Sequence, residues 1–176
     1  MTILSTARLR LEPFDDVHLD GLYELNRDPV VMRYITGKAE TREDTRAAID
    51  RVKARWIEWG YSWWSFVELD SGQIVGAGCI QHLARDATNP LEIGWRLRQD
   101  RWGQGLASEA ARTMAGWAFD HLKTPLLLSV CHVDNLASAK VMQRLGMRCR
   151  GVERWYDMDT AVYEITQAEW QAQSAQ

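Results

Sequence analysis

This chain has little cysteine, no marked excess of charge and no long apolar run. Each shortage removes a class of protein. The three cysteines, Cys79, Cys131 and Cys149, are odd in number and form no CxxC pair, which argues against a disulfide framework and a structural zinc site. Free thiols and no metal centre are expected. Twenty-one Lys plus Arg against 24 Asp plus Glu leave a formal net charge of −3, so no general attraction to nucleic acid or anionic membrane is expected. No stretch approaches the roughly 20 apolar residues of a membrane span, and the opening MTILSTARLRLEP has no signal-peptide core ahead of its charges. The expectation is a cytoplasmic protein. Repeats, low-complexity tracts and linkers are also absent.

What is present suits one domain over residues 1–176. The chain of 176 residues is 46% hydrophobic, ample for a sizeable core. Nine tryptophans are unusual at this length, and Trp56, Trp59, Trp63 and Trp64 lie close together.

Arg8 to Pro13 alternates, with Leu9 and Leu11 on one side, as in a half-exposed strand. A helix should follow, capped by Asp15 or Asp16, with Val17, Leu19, Leu22, Tyr23 and Leu25 as its apolar stripe. Thr41, with Asp44 three residues on, opens a second helix whose stripe is Ile49, Val52, Trp56 and Trp59 and which Gly60 closes. Residues 63–69 and 73–80 flank Asp70-Ser-Gly72 as a hairpin. After a loop over 82–90 come a strand at 91–97, a glycine turn, a helix over 105–121 and a strand at 126–130, a right-handed βαβ unit. A last helix and strands near 149–156 and 160–166 complete an α+β (mixed α/β) domain of about seven strands and four helices, mostly antiparallel with one parallel pair.

The stretch Arg101-Trp-Gly-Gln-Gly-Leu-Ala-Ser-Glu-Ala-Ala111 carries the most chemistry. Gly103 and Gly105 permit a tight turn and close backbone approach, and the first turn of the following helix leaves N–H groups without intrahelical partners. Aligned peptide dipoles add to the attraction, so the segment reads as an anion cradle suited to a pyrophosphate. It lacks a P-loop lysine. The plain alternative is a sharp turn with no ligand. Further on, Asn135-Leu-Ala-Ser138-Ala-Lys-Val141-Met-Gln-Arg-Leu145-Gly146 reads as a helix capped by Asn135 and ended by Gly146.

Together these segments resemble the GNAT superfamily of acetyl-CoA-dependent N-acetyltransferases. Thr6-Ala-Arg-Leu-Arg-Leu-Glu-Pro-Phe14 and Glu92-Ile-Gly-Trp95 are similar to the opening and central strands of the branch that acetylates the N-terminal alanine of ribosomal proteins (RimJ/RimL-like). The resemblance covers about residues 6–168. It implies a GNAT fold in which the parallel strands splay apart and the pantetheine arm of acetyl-CoA pairs with the backbone near Arg96 and Leu97. The pyrophosphate would rest on the amides of Trp102, Gly103, Gln104, Gly105, Leu106 and Ala107. Asp100 stands where many members have Arg or Gln, which alters side-chain contacts and leaves the amide cradle.

The resemblance implies that Glu92 is the general base, acting through water on an α-amine that is mostly protonated at neutral pH. An ordinary strand carboxylate is the alternative. Many members protonate the departing thiolate with a tyrosine seven positions after the asparagine. Here that position is Met142, and the branch's substitute is Ser138, which otherwise merely packs or back-bonds within its helix. Asn135 would contact pantetheine as well as cap, and Lys140 could reach the outer phosphates. Acceptor-channel segments of the family bring in Tyr34, Trp64 and His82, with Trp59, Trp63 and Tyr156 near them, although most such aromatics pack in the core.

A dinucleotide-binding Rossmann domain fits poorly, since Ser108 replaces the third glycine and the turn comes some 100 residues into the chain. Cys131 and His132, adjacent on a strand, point to opposite faces and make no catalytic pair. The reading is therefore acetyl transfer from acetyl-CoA to a primary amine, either a protein N-terminus or a small molecule, by a monomer or homodimer. A non-catalytic acetyl-CoA-binding sensor of the same fold is the alternative.

Overall fold

The structure is a computed structural model and describes residues 1–174. Its eight strands follow the hydrogen-bonded order β1-β2-β3-β4-β5-β6-β8-β7, a mixed and mostly antiparallel sheet, accompanied by six α-helices. The chain divides into two compact units, Met1–Cys79 with Trp95–Thr113, and Ile80–Gly94 with Met114 onward.

In the first unit β1 (Leu4–Ser5), β2 (Leu9–Pro13), β3 (Trp63–Glu68) and the start of β4 (Ile74–His82) run antiparallel, with Leu9 opposite Glu68, Leu11 opposite Phe66 and Trp63 opposite Cys79. Leu9 and Leu11 are buried while Arg8 and Arg10 are exposed, the alternation that a one-sided core demands. Helices α1 (Leu19–Asn26), α2 (Pro29–Met32) and α3 (Arg42–Trp59) belong here. The capping box of α3 is formed: Thr41 Oγ1 accepts from the Asp44 amide at 3.1 Å, and Asp44 Oδ2 accepts from the Thr41 amide at 3.0 Å. Gly60, at φ +79°, stops it in a left-handed conformation.

One expectation is corrected here. The 3-10 turn Asp16–His18 precedes α1, so Val17 stands 83% exposed outside the apolar stripe. Short α2 escaped notice because four residues show no periodicity. Its signals are Pro29 at the first position and Asp28, whose carboxylate accepts from the Val30 amide at 2.9 Å.

The tryptophan cluster is largely core. Trp56 meets Trp64 edge to face, ring centres 5.0 Å apart, and their indole N–H groups donate to the carbonyls of Trp63 (3.1 Å) and Thr2 (2.8 Å). Such pairing lets two large rings be buried without orphaned donors.

In the second unit the first residues of β5 (Leu91–Leu97) pair in parallel with β6 (Leu126–His132), Leu91 opposite Leu127 and Glu92 opposite Leu128. β6 pairs along its whole length with β8 (Met158–Thr166), which pairs with β7 (Arg148–Trp155) across a register shift between Cys149 and Gly151. Leu83, Leu128 and Val162 form a core cluster. Helix α4 (Leu106–Trp117) continues into a π turn at Ala118–Leu122, followed by α5 (Leu136–Arg144) and α6 (Gln167–Ser174). The eight strands and six helices exceed the expected seven and four because β1, α2 and α6 were not foreseen. The Glu169 carboxylate anchors α6 by accepting from the Thr166 amide at 2.8 Å.

Candidate functional site

In the first unit, β5 ends at Leu97 and a 3-10 turn, Gln99–Arg101, leads to Gly103 (φ +73°) and Gly105 (φ +80°) before α4 begins. Both glycines occupy the left-handed region that a side chain would strain. The Trp102 amide donates to the Gln99 carbonyl at 3.1 Å, so the expected cradle begins one residue later, at Gly103. Among the described residues, the amides of Gly103, Gln104, Gly105, Leu106 and Ala107 meet no main-chain carbonyl. Ser108 Oγ is buried with no hydrogen-bond partner. Free amides at a helix start and an orphaned hydroxyl are the donor set a diphosphate uses, so these residues fit the phosphates of coenzyme A.

Side chains brace the loop from behind. Arg8 donates from Nη1 to the Gln104 carbonyl at 2.9 Å and pairs through Nη2 with Glu109 at 2.7 Å, while Thr6 Oγ1 donates to the same carboxylate. Partial burial would raise the Glu109 carboxyl, but the Thr6 and Arg8 hydrogen bonds outweigh it and hold the group below its ordinary value. It therefore stays ionised and keeps Arg8 in place. Trp102 donates its indole N–H to the Leu97 carbonyl at 2.8 Å, and Gln104 Nε2 donates to the Asp100 carbonyl at 3.0 Å.

The second unit holds a buried carboxyl. Glu92, on β5, is 6% exposed and accepts from the Tyr156 hydroxyl and, at 3.4 Å, from Gln81 Nε2. Tyr156 Oη in turn accepts from the Ala84 amide at 3.0 Å. Burial pushes the Glu92 carboxyl up to about 7, tempered by the Tyr156 and Gln81 hydrogen bonds and by Arg85. A carboxyl that titrates near neutrality can both take and return a proton. Backbone strain gathers around it: Ala84, Arg85, Tyr156 and Asp157 all lie at φ between 54° and 62°. Residues other than glycine hold such angles only where surrounding contacts over-determine them.

Among the described residues the parallel ladder between β5 and β6 stops after Glu92 and Leu128. Beyond it Ser129 Oγ donates to the Ile93 carbonyl at 2.8 Å, a side chain doing the work of a ladder bond. Asn135 Oδ1 accepts from the Ser138 amide at 3.2 Å as the cap of α5. Ser138 is half-buried, and among the described residues its hydroxyl makes no hydrogen bond, so it does not back-bond within the helix. Met142 is buried, Lys140 is exposed, and burial with help from Cys149 pushes the Cys131 thiol up to about 11, away from nucleophilic use.

Three residues expected near an acceptor have different settings. Trp64 is fully buried and belongs to the core, where no acceptor reaches it. Tyr34 is half-buried in the turn after α2, beneath the Arg33 guanidinium at 5.1 Å. His82 is half-buried, its Nδ1 donating to the Asn89 carbonyl at 2.8 Å. Tyr156, placed by sequence only near the acceptor segments, emerges as the direct partner of Glu92. Its position in a two-residue turn between strands was the available signal.

Residues 8–148 match the acetyltransferase (GNAT) domain. The chain belongs to the GNAT family of acetyltransferases. This GNAT enzyme is 26% identical over 175 residues to the uncharacterized N-acetyltransferase YnaD of Bacillus subtilis (strain 168), covering 95% of this chain and 98% of that protein. Its fold is similar to that of a GNAT-family acetyltransferase from Bacillus anthracis, with TM-score 0.81, 24% identity and coverage of 95% and 99%. It is also similar to RimL, a ribosomal L7/L12 alpha-N-protein acetyltransferase solved with coenzyme A, with TM-score 0.77, 20% identity and coverage of 94% and 98%. Among the described residues, no helix is long and apolar enough to cross a membrane.

Proposed function

We propose that this GNAT-family enzyme moves the acetyl group of acetyl-CoA directly to a primary amine, with no acyl-enzyme, and that the whole chain serves as one transferase domain. The observation that carries the reading is the run of uncommitted amides from Gly103 to Ala107 beside the orphaned Ser108 hydroxyl, a donor set matched to a diphosphate. Acetyl-CoA supplies the activated acetyl group. The backbone of Arg96 and Leu97 would take the pantetheine arm.

Glu92 would accept the proton that the amine must lose. At pH 7 a carboxyl titrating at about 7 is about half ionised, which suits a base. Ser138, with a hydroxyl not spent on its own helix, would protonate the departing thiolate, and Asn135 would add an amide contact to its cap. The acceptor is a peptide α-amine, as the RimL likeness suggests, or a small-molecule amine.

Calorimetry with acetyl-CoA, paired with a thiol-release assay over N-terminal peptides, polyamines, amino-acid analogues and aminoglycosides, tests the reading. Binding together with amine-dependent thiol release is the expected result. Tight binding without release for any acceptor would make the protein an acetyl-CoA sensor, and absence of binding would overturn the cradle.

A further inference from the structure

In the first unit Arg96 is half-buried and its guanidinium is held on two sides. Nε donates to Asn26 Oδ1 at 3.2 Å, and the plane lies over the Trp63 ring at 4.7 Å from its centre. Asn26 is itself buried and fixed: its Nδ2 donates to Thr45 Oγ1 at 3.3 Å, and that hydroxyl donates to the Thr41 carbonyl at 3.1 Å. The chain of donors leaves Asn26 only one orientation, with its carbonyl oxygen toward Arg96.

The other end of the guanidinium is uncommitted. Among the described residues neither Nη1 nor Nη2 makes a hydrogen bond, and no carboxylate lies within ion-pair distance. Arg98 and Arg101, close by in sequence, both pair with Asp100 at 2.8 Å. None of the Arg96 nitrogens is both sealed from solvent and unpartnered, so the two Nη groups retain some contact with solvent. Burial lowers the Arg96 pKa, while Glu40 and Cys79 act on it only at a distance. The side chain nevertheless stays charged, given the high intrinsic pKa of arginine. A partly desolvated cation with one edge tied down and a two-pronged edge open is pre-organised for a bidentate carboxylate.

We propose that the Arg96 guanidinium, clamped by Asn26 and Trp63, binds the carboxylate of the acceptor, so that the acceptor class is an amine that also bears a carboxylate. This rests on the reading of the protein as an amine acetyltransferase.

The test compares three probes, an amino acid, its carboxamide and the corresponding amine without the acid group, each at equal concentration of neutral amine. The amino acid should show kcat/KM at least about tenfold higher, expressed mainly in KM, and Arg96→Met should reduce it to the level of the carboxamide. Arg96→Lys should retain only part of the preference, because it keeps the charge and loses the fork. Binding of the same probes, followed by tryptophan fluorescence, supplies a readout independent of turnover. Acid-selective binding without acetyl transfer would leave the subsite standing and sink the transferase reading. Acetyl transfer to acid, carboxamide, plain amine and amidated peptide with equal kcat/KM would overturn the subsite and spare that reading. Equal or absent binding with no transfer would remove both. The wild-type comparison decides the matter even if Arg96→Met does not fold.

Discussion

Tyr156 donates its hydroxyl hydrogen to the buried Glu92 carboxylate while accepting from the Ala84 amide. The strained turns at both ends, with φ of 54° at Tyr156 and 56° at Ala84, hold the pair in register. The tyrosine favours the ionised form of Glu92 and burial opposes it, with burial the larger effect.

Glu92→Gln should lower kcat by about 10²- to 10⁴-fold, the usual contribution of a positioned base. In the wild type kcat/KM should rise with pH and level off above about 7, where Glu92 is ionised. The variant should lose this limb. Turnover at the wild-type level across the range would remove Glu92 from the chemistry.

The same titration bears on stability. The folded carboxyl is raised from 4.5 to about 7, so between these values the folded state binds more protons than the unfolded state and stability falls as pH rises. The loss is on the order of 3 kcal/mol at most. Glu92→Gln, which stays neutral, should escape it. Melting temperatures at pH 5 and pH 8 should differ less for the variant, and an equal difference would refute the shift.

Tyr156→Phe removes a donor that lowers the Glu92 pKa, so the acid limb of the pH profile should move upward. Activity should fall several-fold at pH 7 and recover toward pH 9. A uniform loss at every pH would instead indicate that the tyrosine merely holds the hairpin.

Ser138→Ala should reduce kcat at saturating acetyl-CoA by about ten- to a hundredfold, the lower part of the general-acid range. Because its hydroxyl makes no hydrogen bond among the described residues, the melting temperature should barely change. Unchanged turnover would show that another donor, such as water, protonates the thiolate.

Gly105→Ala places a Cβ at φ +80°, 3.6 Å from Arg8 Nη2, and should cost about 1–2 kcal/mol of backbone strain. Acetyl-CoA affinity measured by calorimetry should drop at least tenfold as the cradle shifts. Retained affinity would place the phosphates elsewhere.

Much of this protein was legible along the chain. Leu9 and Leu11 alternate, Thr41 and Asp44 spell a capping box, and Gly103 and Gly105 announce a left-handed turn before α4. These are local rules, because neighbouring atoms alone enforce them. Trp64 shows the limit, since a tryptophan near an expected acceptor channel and one in the core look alike until Thr2 and Trp56 are seen around it. Tyr156 shows the converse: 64 residues separate it from Glu92, and no spacing rule links them.

The amino-acid order by itself determined the glycine turn, the succession of the longer strands and helices, and the supply of a carboxyl, a hydroxyl and an arginine at definite positions. Folding decided what those groups became. Burial carried Glu92 to neutrality, the Asn26 and Trp63 clamp left one edge of Arg96 open, and Ser138 kept its hydroxyl free. Desolvation and the pairing of donors depend on residues that are distant in sequence and adjacent only once the chain has packed.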